Sequence, residues 1–418
     1  MTETAPRGKL LFISPVMPDI GGNGLAMRAG NLVESLGSHS DLHLLVLAVG
    51  GVEGRQLCPE LAPFVTAWTE LPYREMIDPE YGMLGLLQPG LDQFAAVERF
   101  GRPVAAAYKP EAAADAAFQA FPDTSFAAVF VLRLYMSAVA SRFCDLTPRP
   151  HMLLDADDDD VTASCRFANV RRAAGDHLGA SIELATARHY AAWEQAWLPK
   201  FDLVFTASPA DSARMSKRMP DMFFDTIPNV VRTTPNVAPS SGAQGQIPFL
   251  MIGNLGYLPN VEGAHYFCTE VLPRLRALAP DLARVTIAGS SPAPTVVALN
   301  GLAGVTVLAS PAEVFPLYHE ARVAVAPIRA GGGTLIKILE AFASGVPVVS
   351  TALGAEGLSA EDGVHLLIAD TPDAFAAACV RLARDEGLRA RIIPAARQLQ
   401  EDQYSLNMLK QRFAPDTL

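Results

Sequence analysis

The chain has 418 residues, half of them apolar, more than one hydrophobic core ordinarily serves, so two domains are expected. Its 33 basic against 44 acidic side chains leave a net charge of −11, which argues against a broad electrostatic grip on nucleic acid or an anionic membrane, while a local basic pocket stays open. The five cysteines, Cys58, Cys144, Cys165, Cys268 and Cys379, are far apart and never form a C-x-x-C pair, as expected of buried thiols in a reducing compartment. No run of about 18 uncharged apolar residues occurs, as a spanning helix would need. Lys9 to Ser14 reads as a strand rather than a leader. A cytoplasmic location with at most peripheral membrane contact is therefore expected.

Short apolar runs separated by helix-length segments predict parallel strands at Leu10 to Ile13, Leu42 to Val49, Ala127 to Leu132, Met152 to Leu154 and Leu203 to Thr206. The second half repeats the scheme at Phe249 to Ile252, Arg284 to Ala288, Val305 to Leu308, Val323 to Ala326, Val346 to Ser350 and His365 to Ile368. The expected class is α/β, with two Rossmann-like doubly wound domains. Residues 1–231 are read as the first domain and 248–394 as the second. Residues 232–247, rich in proline, glycine, serine and threonine, are the linker, and 395–418 a helical tail that packs back on the first domain.

The strongest local signal is PIRAGGGTLIKILEAFASGVPVVST, Pro327 to Thr351. Gly331, Gly332 and Gly333 let the backbone turn without a β-carbon and approach a ligand closely. Thr334 is then expected to cap the following helix, and Leu335 directly after it is counted with the loop among the substrate-binding candidates. On that helix Ile336, Leu339 and Ala343 share one face and Lys337, Glu340 and Ser344 another. A glycine-rich turn opening a helix offers amide hydrogens and a positive dipole end to a phosphate. Lys337 near that end is electrostatically unfavourable unless an anion compensates. The bland alternative is an ordinary βα turn with a solvated lysine.

A second glycine loop, MPDIGGNGLAMRAGNLVESL from Met17 to Leu36, follows the first strand and places Gly21, Gly22, Asn23 and Gly24 before a helix bearing Arg28. It lacks the G-x-G-x-x-G spacing, so a dehydrogenase reading is weak, and it is either a plain turn or a loop reaching toward phosphate or acceptor. The run LLDADDDD, Leu153 to Asp160, puts Asp155 at a strand's carboxyl end, where open sheets place ligands. Its carboxylates are open to helix capping, cation binding or a hydroxyl contact. His39, His43, His319 and His365 do not pair at metal spacing, and Trp193 and Trp197 read as core.

GNLGYLPNVEGAHYF from Gly253, TIAGSSP from Thr286, VTVLASPAEVFPLYHEARVAVAPI from Val305 and GGGTLIKILEAFASGVPVVSTALGAEGL from Gly331 together resemble the nucleotide-sugar half of glycosyltransferase family 4, in its G-G-G-T-x-x-K-x-x-E form. The resemblance implies the GT-B architecture, two facing Rossmann-like domains with the donor in the interdomain cleft. It also implies transfer of a sugar from a nucleotide-diphosphate sugar to an acceptor hydroxyl with retention of configuration, without a metal or other cofactor. Carried over, Lys337 and the loop Gly331 to Thr334 hold the donor diphosphate, and Glu340 accepts hydrogen bonds from the ribose. Gly253 and Asn254 with Gly289 line the nucleotide pocket, and Gly21 and Gly22 approach the phosphate or sugar from the first domain.

Two departures stand out. Many members carry a second glutamate eight positions before the one matching Glu340, where this chain has Gly332. Members also commonly place an arginine and a lysine after the strand matching Phe249 to Ile252, and neither is present. Lys337, Arg329 and the loop amides are the substitutes, with Arg28 a longer reach, and Arg133 and Tyr135 stand where a sugar-contacting histidine is frequent. Rival readings are a nucleotide-sugar epimerase or phosphorylase on the same fold, or a non-catalytic nucleotide-binding member.

Overall fold

A computed structural model describes residues 8–49, 52–87, 90–122, 124–232 and 246–414. Two compact units emerge, one comprising the described residues of Met1–Pro228 with Leu409–Leu418, the other Asn229–Met408. The chain thus leaves the first unit at Pro228, ahead of the expected linker, most of which lies outside the described residues.

The first unit holds a seven-stranded parallel sheet of β1 (Lys9–Ser14), β2 (Asp41–Val46), β3 (Ala67–Glu70), β4 (Ala128–Leu132), β5 (His151–Asp157), β6 (Leu203–Thr206) and β7 (Phe224–Thr226), in the order β3-β2-β1-β4-β5-β6-β7. Strands buried on both faces read as continuous apolar runs, which is why the central five were legible. The half-exposed AWTE of β3 and the three-residue β7 carry no such run, and neither was anticipated. β2 stops at Val46, short of the expected Val49, and Val49 N then bonds back to the Leu47 carbonyl at 2.7 Å in a tight turn. Helix α1 (Gly24–Gly37) follows β1, and α2 (Asp160–Ala173) follows β5.

In the second unit β8 (Ile247–Ile252), β9 (Val285–Gly289), β10 (Val305–Ala309), β11 (Ala321–Ala326), β12 (Val348–Ser350) and β13 (Leu367–Ile368) form a parallel sheet ordered β10-β9-β8-β11-β12-β13. Alternate residues feed opposite cores: Phe249 and Met251 pack on one side, Leu250 and Ile252 on the other. The expected strand at Val346 shortens because Gly345, at φ 70°, turns the chain and Pro347 precedes the ladder. This unit also contains α3 (Leu258–Tyr266), α4 (Phe315–Glu320), α5 (Ile336–Ala343) and α6 (Glu386–Gln403).

The expected tail divides. α6 begins before residue 395 and belongs to the second unit, whereas the end of α7 (Leu406–Arg412) joins the first. There Phe413 is buried against Phe130, ring centroids 6.5 Å apart, and Lys410 Nζ lies 2.7 Å from Glu34. No helix among the described residues is long and apolar enough to cross a membrane.

Candidate functional site

Both sheets reverse strand order once, between β1 and β4 and between β8 and β11, and open parallel sheets take ligands at such points, beyond the strands' carboxyl ends. In the second unit the loops concerned are Gly253–Tyr257 and Pro327–Leu335. Gly331 and Gly333 stand at φ 109° and 70°, in the region that favours glycine, so this loop cannot be built from other residues without strain. Gly289, at the end of β9, is fixed by proximity instead: a β-carbon there would lie 1.6 Å from the Gly253 carbonyl oxygen.

Thr334 does not cap α5. Leu335 occupies that position without a side-chain bond, while the buried Thr334 hydroxyl points to the Gly357 carbonyl at 3.4 Å. Lys337 is consequently the second residue of α5. Its Nζ donates to Asn260 Oδ1 on α3, and Asn260 Nδ2 donates to the Asn254 carbonyl at 2.8 Å. A β-carbon on Gly253 would sit 3.0 Å from Lys337 Nζ and 2.7 Å from Asn260 Nδ2, so the missing side chain makes room for this pair. Among the described residues no carboxylate lies within salt-bridge distance of Lys337. Burial lowers its amine to about 8, partly offset by Glu340.

Glu340, one turn on, is 8% exposed and 3.0 Å from the Tyr318 hydroxyl, which also lies 3.1 Å from the Lys337 carbonyl. Burial raises the Glu340 carboxyl to about 6, against the pull of Tyr318 and Lys337. Lys337, Glu340, Gly253, Asn254 and Gly289 are thus brought together. Arg329 is already partnered: its guanidinium pairs with Glu262 and lies 4.1 Å from the centre of the Tyr266 ring. The sequence reading missed Asn260 and Tyr318, and the only local signal for Asn260 was its place in the quoted segment GYLPNVEG.

In the first unit the glycine loop splits between scaffold and open surface. Asn23 caps α1, accepting from Ala26 N at 2.9 Å, so its side chain is engaged locally rather than held out to a ligand. Gly21, Gly22 and Gly24 lie beside it, Gly22 at φ 89°, and a β-carbon on Gly21 or Gly22 would meet nothing within 4 Å.

Arg28 and Asp155 turn inward. Arg28 Nε and Nη2 each lie 2.8 Å from a different oxygen of Asp155, and Nη2 also donates to the Ile227 carbonyl. With Arg28 4% and Asp155 0% exposed, neither is placed to meet a substrate, contrary to expectation; the fork-shaped pair is internal scaffolding. Arg133 contacts Asp157, Asp158 and Asp160 at 2.9, 3.2 and 2.9 Å, and Asp159 caps α2 and pairs with Arg218. Burial raises Asp158 to about 7, aided by Asp157, and Asp160 to about 6, opposed by Arg133. Arg133 and Asp157 both hold positive φ, 75° and 66°, an unusual conformation for non-glycine residues.

Residues 247–385 match the sequence model of the family described as Glycosyl transferases group 1. An uncharacterized 44.6 kDa protein in the cps region of Klebsiella pneumoniae is 28% identical over 142 residues, 30% of this chain and 34% of that protein. That match therefore spans about a third of the relative's length. Among solved structures, Anabaena HepE in complex with UDP and glucose aligns at 14% identity over 98% of this chain and 99% of its own, with TM-score 0.60. Sucrose-phosphate synthase from Thermosynechococcus elongatus aligns at 13% identity over 97% of both chains, TM-score 0.64. The E. coli trehalose-6-phosphate protein bound with UDP-2-fluoro glucose aligns at 12% identity over 98% of both, TM-score 0.62. At these identities the likeness is one of fold. Residues 247–385 thus match the glycosyl transferases group 1 model, in a chain whose two parallel α/β sheets share the GT-B fold of these solved structures.

Proposed function

We propose that the protein is a retaining glycosyltransferase that moves a sugar from a nucleotide-diphosphate sugar to an acceptor hydroxyl on a glycan, a lipid-linked sugar or a small molecule. The observation that carries this reading is Lys337: a partly buried ammonium at the switch point of the second sheet, hydrogen-bonded to a neutral amide. Uncompensated buried charge is costly, and an anion held against the Gly331–Thr334 loop and the start of α5 would compensate it. The UDP bound in the HepE structure is the kind of ligand that supplies such an anion.

Sugar transfer builds negative charge on the leaving diphosphate, and a fixed cation beside it lowers the barrier. With the same face retained, the departing phosphate oxygen takes the acceptor proton, and no carboxylate pair at hydrolase spacing is required. Glu340, its carboxylate held by Tyr318, would accept from ribose hydroxyls.

The test is a thermal-shift screen of nucleoside diphosphates and their sugar conjugates, followed by turnover with the stabilising donor. Lys337→Ala should lower turnover about 10²- to 10³-fold, the scale of a lost transition-state donor. Unchanged kinetics in a folded variant would remove Lys337 from the site.

A further inference from the structure

We infer that Asn260 is a positioning residue for diphosphate binding, a neutral partner that aims the Lys337 ammonium while leaving its charge available to the ligand. The inference rests on the donor-site reading above and adds a residue to it.

An ammonium needs acceptors to hold one orientation, and buried lysines ordinarily find them on a carboxylate. Here the acidic side chain one turn on, Glu340, is held by the Tyr318 hydroxyl, and the Lys337 hydrogen bond goes to an amide oxygen. A carboxylate in that place would orient the lysine equally well, but it would also cancel the charge and repel a diphosphate.

The amide cannot readily turn over. Its Nδ2 donates to the Asn254 carbonyl, which leaves Oδ1 as the atom facing Lys337, so both contacts specify one orientation. Asn260 is 6% exposed, in the first turn of α3, and its amide group packs under the bare Cα of Gly253. Gly253 and Asn254 follow directly on β8, so Asn260 ties the loop at one side of the switch point to the lysine at the other. Aspartate has nearly the same shape and differs in charge, which makes Asn260→Asp the informative substitution.

The chain has six lysines, few enough for the ε-carbon of each to be followed by NMR, with Lys337 assigned through Lys337→Met. In the full-length protein Lys337 should titrate below the other five. Asn260→Asp should raise its midpoint by at least about one pH unit, because an opposite charge at hydrogen-bond distance favours the ammonium. Affinity for UDP, with GDP and ADP measured in parallel, should fall on the order of tenfold. Asn260→Leu should weaken binding through lost aim without raising the midpoint.

Asn260→Leu should not weaken binding further in a Lys337→Met background, since the residue acts through the lysine. A packing role alone would keep the cost of Asn260→Leu in Lys337→Met, and an unmoved Lys337 midpoint in Asn260→Asp would mean that this side chain does not meet the ammonium; either result overturns the proposal. Should Lys337→Met bind every nucleotide as the unaltered chain does, the donor-site reading falls, and the midpoint shift in Asn260→Asp still decides whether Asn260 governs the lysine's charge. If Asn260→Asp does not fold, Asn260→Leu in the same double-substitution cycle decides the question.

Discussion

The depressed amine of Lys337 predicts how nucleotide affinity depends on pH. Diphosphate binds the ammonium form, so the apparent Kd is the intrinsic value divided by the fraction of that form. With a midpoint at about 8, that fraction is about 0.9 at pH 7 and about 0.1 at pH 9, and affinity for a nucleoside diphosphate falls about tenfold between them. Other ionising groups at the site titrate outside this window. A terminal phosphate titrates near pH 6, and Glu340, raised to about 6, is ionised throughout the window, so neither obscures the lysine.

Calorimetry in buffers of different ionisation enthalpy provides an independent reading. Complex formation should take up about 0.1 proton at pH 7, rising to about 0.9 at pH 9, as the bound phosphate pulls the amine back to its charged form. Lys337→Met should bind weakly with neither slope nor uptake. A flat affinity from pH 7 to 9.5, or the same slope in Lys337→Met, would refute the assignment of the phosphate charge to this residue.

Three further outcomes are expected. Lys337→Met should stabilise the unliganded fold below pH 8: the amine is charged in both states there, but only the folded state bears the cost of burial, a cost that fades between the folded midpoint of about 8 and the unfolded value of 10.5. After allowance for partial exposure the gain is about 2 kcal/mol, or about 4–8 °C in the melting temperature of a unit this size, readable by calorimetry at pH 7. Arg28→Met should destabilise the first unit by about 3–5 kcal/mol in urea titration, because Asp155 is left charged and buried, and adding Asp155→Leu should restore part of the loss; a stability-neutral Arg28→Met that loses nucleotide affinity would instead return Arg28 to the site. Glu340→Gln should raise the donor KM more than it lowers kcat in steady-state assays, and the reverse would move Glu340 into the chemistry.

What the sequence revealed of the fold follows from burial. β1, β4 and β5, covered on both faces, announce themselves as apolar runs, while the edge strands β3 and β7 look like loops. The glycine loop was legible because positive φ at Gly331 and Gly333 demands the residue type that marks it. Thr334 misled because a threonine after glycines looks the same whether it caps a helix or turns inward to Gly357. Asn260 and Tyr318 were illegible for a different reason: they reach Lys337 and Glu340 from 77 and 22 positions away, and no periodicity records such a pairing. The acidic run likewise showed its mutual repulsion, but not Arg28, 127 positions from Asp155, or Arg133, 24 from Asp157.

The departures from the family pattern and the geometry around Lys337 bear on each other. Where several cations share a diphosphate, a carboxylate beside one of them costs little, since the others retain their charge. Here the arginine and lysine common after the first strand of this unit are absent, Arg329 is paired with Glu262, and Arg28 is sealed against Asp155. Two unit charges about 4 Å apart near a protein surface interact by about 4 kcal/mol, so a carboxylate at the Asn260 position would remove roughly what one phosphate contact provides. A site with one principal cation therefore needs a neutral partner for it, and the amide of Asn260, held by Asn254 and given room by Gly253, meets that requirement.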